Sequence, residues 1–133
     1  MTIPHVLNDP DGALAYWQKR LKLSDWIIKL RLHCAPEDMS LQNVSGMADW
    51  TECHKTAIIS ILDERFYGDR ILPFDADSTL IHELLHIKFC LLGENGNDVH
   101  ERVLHQVICE LAAAFNEDIQ REAVFAAEEV KEG

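Results

Sequence analysis

Basic residues are scarce in this chain. Twelve Lys and Arg stand against 23 Asp and Glu, leaving a net charge of -11 over 133 residues. That balance excludes a protein that grips nucleic acid through its overall charge, and it gives no attraction to an anionic lipid surface. A basic peptide or protein surface is the more comfortable partner. The N-terminal stretch MTIPHVLNDPDG has no basic region followed by an apolar core, so it does not read as a secretory signal. The apolar runs are broken by charges and fall short of a bilayer span. No C-x-x-C spacing occurs among Cys34, Cys53, Cys90 and Cys109. With no export signal, reduced thiols in a cytoplasmic protein are the expectation. Internal repeats and low-complexity segments are missing as well.

What is present is ordinary for a globular protein: 47% apolar and 26% charged residues. That composition and length suit one domain, residues 1–133, with a real core. Only the acidic end, about residues 128–133, is expected to fray. Asn8 or Asp9 can cap a first helix from about Pro10 to Lys22, with Leu14, Trp17 and Leu21 as its buried stripe. In DWIIKLRLH, Ile28, Leu30 and Leu32 alternate with Lys29, Arg31 and His33, the pattern of a half-buried strand. Cys34–Asn43, with Pro36, reads as a loop. Val44–Asp49 and Thr56–Asp63 read as two strands joined by a turn at TECHK, an antiparallel hairpin. Gly68 and Pro73 break the segment that follows. Asp75 or Asp77 can cap the next helix, which runs to about Leu92 and stops at Gly93. After GENGN, Asp98 opens a long helix reaching at least Phe115, and DVHE fits a capping box. Helix, three strands, helix, helix makes an α+β domain.

The first of those late helices carries TLIHELLHIKF, residues 79–89, with the pattern H-E-x-x-H. Positions four apart share a helix face, so His82 and His86 can aim two imidazoles at one ion. Zinc accepts imidazole nitrogen in tetrahedral coordination. Glu83 is one residue from His82, placed to reach a water on the metal without being a ligand. Zinc lowers that water's pKa towards neutrality, and Glu83 can take its proton and later deliver one to a leaving amine. The bland alternative is two hydrogen-bonded core histidines. The flanks speak against it: Leu80, Ile81, Leu84, Leu85 and Ile87 make the helix apolar nearly all round, and buried polar groups there need a partner. A metal is such a partner.

A catalytic zinc commonly keeps three protein ligands. With two antiparallel helices, six residues from His86 to Leu92 descend about 9 Å, and six from Val99 to His105 return the same distance. His105 therefore comes back level with His86. Glu101 falls about 6 Å short, and has its own use as a cap; it ranks second. Glu110 overshoots and points away from the stripe Leu104, Ile108, Leu111 and Phe115. His100, in the first turn, reads as solvated. Cys90 and Cys109 read as core packing, His54 as an exposed turn residue, and His5 and His33 as lacking partners. Tyr67 is a candidate to stabilise an oxyanion, with ordinary packing the commoner role.

With these parts the chain resembles the zincin metallopeptidases. More narrowly, it is similar to the small stand-alone HELLH proteins of phages and prophages, akin to minimal gluzincins. The resemblance spans about residues 24–116 and rests mainly on STLIHELLHIKF and HQVICELAAAF. It implies a zincin-like fold, His82 and His86 as ligands, Glu83 as general base, and a third ligand from the later helix. Gluzincins usually use glutamate there; this neighbourhood offers His105, a three-histidine set. The resemblance also implies a peptide or protein substrate lying along an edge strand, either Val44–Asp49 or Thr56–Asp63. The expected activity is hydrolysis of peptide bonds with Zn2+ as cofactor. A zincin-fold module with a structural or latent zinc is the alternative, favoured by the short chain and by a long C-terminal helix free to cover the cleft. Hydrolysis of a non-peptide amide is a third reading.

Overall fold

The computed structural model describes residues 3–39, 44–70, 73–90 and 98–132. Asp9 accepts a hydrogen bond from the Gly12 N–H, and Pro10 supplies a preset φ in the first turn, so helix α1 (Pro10–Arg20) begins where the capping pattern placed it. It buries Ala13, Leu14 and Trp17. The strands β1 (Ile27–Cys34), β2 (Gly46–Thr51) and β3 (Thr56–Leu62) follow, then α2 (Ala76–Lys88) and α3 (Asp98–Glu132). The described residues thus form an α+β arrangement, three α-helices with one three-stranded mixed sheet. No described helix is long and apolar enough to cross a membrane.

The sheet order is β1-β3-β2, with β3 in the middle. β3 runs antiparallel to β2 and parallel to β1. Central position follows from composition: TAIISIL is β-branched on both faces, and Ile59, Ser60, Ile61 and Leu62 are all buried. Leu30 pairs with Ile59, and Ala48 pairs with Ile59 from the other side, so one face collects the inward residues of all three strands. That face packs on Trp17 of α1 and on Leu80, Ile81, Leu84 and Ile87 of α2 in a single core. Lys29 and Arg31 point the other way, into solvent.

Helix α2 is the centre of the fold, with Leu80, Ile81 and Leu84 fully buried. Asp75 is its cap, accepting from the Ser78 N–H. Asp77 does a different job: it binds His5 Nδ1 at 2.9 Å and the Val6 N–H at 2.8 Å, tying the N-terminal segment to the helix start. On α3, Ile108, Ala112 and Ile119 are buried. Asn116 donates to Asp75 at the start of α2, while His105 meets His82 and His86 further along it, so the two helices run antiparallel.

The antiparallel β2–β3 hairpin is as expected, but several boundaries differ: α1 ends at Arg20, before Lys22, and β3 at Leu62, before Asp63. β2 starts and ends two residues late, at Gly46–Thr51, because Trp50 and Thr51 pair with Ala57 and Thr56 and carry the ladder up to the turn. α2 stops at Lys88, not Leu92: the Phe89 N–H still bonds the Leu85 carbonyl, but its ψ of 13° leaves the helical path. The expected stop at Gly93 and the GENGN loop lie outside the described residues. Of the two strands offered as a substrate-binding edge, β3 is ruled out because both its sides are paired.

Candidate metal centre

His82, Glu83 and His86 stand on the two middle turns of α2, and His105 faces them from α3. The spacing of four brings the His82 and His86 rings together, with centroids 4.8 Å apart and Nε2 atoms 3.1 Å apart. The His105 ring lies 5.4 Å from His82 and 5.7 Å from His86. His105 thus stands level with the motif, as helix rise predicts. Glu101 is exposed one turn away and borders a neighbouring cavity instead of the cleft. Glu110 is exposed and accepts from Gln106.

The donor chemistry fits a zinc ion. Two nitrogens on one tetrahedral zinc stand about 3.3 Å apart, given Zn–N bonds of about 2.0–2.1 Å. The His82 and His86 Nε2 atoms are already within a few tenths of an ångström of that separation. Burial keeps His82 neutral, lowering its pKa from 6.5 to about 4, with the charges of His86 and His105 adding to the effect. Burial also lowers His86. Neutral imidazole is the form that ligates.

Glu83 is the buried carboxyl of the site, 8% exposed. Burial pushes it up from 4.5 to about 7, helped by the charge of Asp49 on β2. It sits under Gly46: a Cβ there would be 2.3 Å from Thr79 Cγ2 and 3.4 Å from Glu83 Cγ. Only glycine lets the edge strand come this close to the motif helix.

These residues form one wall of a cleft of about 640 Å³. Gly46, Ala48 and Trp50 of β2 line it as well, with Tyr67 and Arg70. The Arg70 guanidinium stacks on the Tyr67 ring at 4.6 Å. A second cavity, about 230 Å³, lies behind His86 and His105 and is walled by Trp50, Phe89, Leu104 and Ile108.

Two sequence assignments need correction. His5 and His33 do have partners: His5 Nδ1 meets Asp77 at 2.9 Å, and His33 Nδ1 meets Asp63 at 3.2 Å. Each is a single pair remote in sequence, which side-chain spacing could not reveal. Cys109 is not core packing. It is exposed, and its Sγ lies 3.8 Å from His105 Nδ1, one turn away on α3. Partial burial, then the charge of Glu110, raises its thiol pKa. Donor atoms of His82, His105 and Cys109 all fall within 4.8 Å of one another, whereas His86 joins the cluster through its contact with His82. Cys90, by contrast, is buried as expected, and all four cysteines are free. His54 is exposed in the β2–β3 turn. The His105-x-x-x-Cys109 spacing was the available signal for Cys109; nothing in the irregular segment marked Arg70.

Comparison with protein families, with curated proteins and with solved structures finds no match.

Proposed function

We propose that this chain is a zinc-dependent peptidase of the zincin kind, acting on an extended peptide or protein segment. The observation that carries the reading is the mutual approach of the His82, His86 and His105 rings, with the buried carboxyl of Glu83 lining the same cleft. Structural zinc has no need of that carboxyl, and hydrolysis does.

His82, His86 and His105 would hold the ion. Zinc bound there supplies Lewis acidity towards a carbonyl and a nucleophilic water near neutral pH. Glu83 takes the proton of the attacking water and returns it to the leaving amine. Its raised pKa, about 7, suits a group that must both accept and give a proton near neutrality. Among the described residues β2 has β3 as its one strand neighbour, and Gly46, Ala48 and Trp50 line the cleft with His82 and Glu83, which suits an added peptide strand beside them. The apolar cavity behind His86 and His105 suits an apolar side chain of that peptide. Tyr67 and Arg70 also line the cleft, and either could face a developing oxyanion.

The test is Glu83→Gln. The account expects peptide cleavage to fall by about 10²-fold or more while zinc content stays unchanged. Cleavage retained at the wild-type rate sinks it.

A zinc-holding module without hydrolysis is the second reading, and one observation favours it: the Cys109 thiol beside His105. Occlusion by the C-terminal helix does not. Among the described residues, α3 contributes His105 alone to the cleft, and Ile119 packs into the core on the α1 side, where Asp118 pairs with Arg20.

A further inference from the structure

The histidine cluster has a fourth donor that the peptidase reading leaves unused. We propose that Cys109 is a protein ligand of this metal site, so that a thiophilic divalent cation is held by three imidazoles and one thiolate in the resting protein. The inference rests on the metal reading above and adds one ligand to it.

Three observations support it. First, Sγ of Cys109 and Nδ1 of His105 are 3.8 Å apart. Bonds of about 2.3 Å to sulfur and 2.0–2.1 Å to nitrogen at a tetrahedral angle put such a pair about 3.6 Å apart. Second, the same sulfur lies within 4.8 Å of a His82 nitrogen, so it belongs to the group centred on the motif helix and not to His105 alone. Third, His105 and Cys109 stand one turn apart on α3, next to the buried Ile108 and Ala112 of the same helix. Ligation displaces the thiol proton to solvent, and the Sγ–metal bond forms with no change in oxidation state.

The consequence is a coordination shell of four protein donors. Such a shell is closed, as in structural zinc sites, whereas a catalytic site keeps one position open. Hydrolysis then requires Cys109 to leave the metal. The sulfur donor also biases the site towards zinc and other thiophilic ions, and away from magnesium or calcium.

Cobalt(II) reports this directly. The full chain loaded with Co2+ is expected to show visible bands of a tetrahedral ion and, in the near ultraviolet, a thiolate-to-cobalt charge-transfer band. Cys109→Ser is expected to lose the charge-transfer band and keep the visible ones. Visible bands without charge transfer in the wild type overturn this inference and leave the three-histidine site standing. No cobalt uptake at all overturns both. A second readout needs no variant. Cys53 and Cys109 are both exposed, and stoichiometric Zn2+ is expected to protect Cys109, and not Cys53, from iodoacetamide in peptide mass mapping. Equal alkylation of Cys109 with and without zinc contradicts the assignment.

Discussion

Among the described residues, Glu83 and His82 carry the two large pKa shifts, in opposite directions. The pKa of Glu83 is raised from 4.5 to about 7, so the folded state binds more protons than the unfolded state between those values. Its contribution to stability is therefore fully present below pH 4.5 and is lost as pH rises through 7. Above that, a buried carboxylate costs on the order of 3 kcal/mol. His82 works in the opposite direction: its lowered pKa withdraws stability as pH falls from 6.5 towards 4. Comparing variants separates the two. After chelation, Glu83→Gln is expected to unfold at a higher temperature than wild type at pH 8 and at a similar temperature at pH 5. Equal midpoints at pH 8 would show that the carboxyl is not desolvated. Asp77 is a second test. Asp77→Ala leaves His5 and the Val6 N–H without their acceptor, and an expected loss of about 1–3 kcal/mol is readable by urea denaturation.

Among the elements, β2 and α2 set the cleft between them, and Gly46 sets their distance. Gly46→Ala forces a Cβ to within 2.3 Å of Thr79 Cγ2. The expected cost is about 1–3 kcal/mol together with weaker zinc binding, because α2 must shift. A variant with unchanged urea midpoint and zinc affinity would mean that strand and helix are not in firm contact. α2 was legible in the sequence because its signals agree: Asp75 as cap, and from Leu80 to Ile87 an apolar run interrupted only by His82, Glu83 and His86. α1 was legible for the same reason, through Asp9 and Pro10. The order of the strands was not. Nothing local distinguishes β1 as the parallel partner of β3, since that pairing is decided by how both lie on α1 and α2. Strand ends shifted by two residues because Trp50 and Thr51 gain ladder partners that only the tertiary pairing supplies.

Taken together, the protein is a sheet and a helix pair that share one core, with the candidate metal site between α2 and α3 beside β2. Ile119 of α3 belongs to that core, with Phe115 packed against it. Ile119→Ala is expected to lose about 2–5 kcal/mol, read by chemical denaturation. Truncation after Asn116 is accordingly expected to destabilise the chain instead of releasing activity. Convergence of His105 on the motif was legible because helix rise converts residue counts into distance. Cys109 was misjudged because apolar neighbours suggested burial, and its exposure depends on how α3 is rotated against α2. Zinc held by the folded chain alone must raise stability by mass action.

Calorimetric titration of the chelator-stripped chain with Zn2+, repeated on His105→Ala, addresses the central claim most directly. The account expects one tight site per chain in wild type, and a binding constant weakened by at least about 10-fold, a loss of 1.4 kcal/mol or more, in the variant. A wild-type chain that takes up no zinc, or a variant that binds it equally well, contradicts the account.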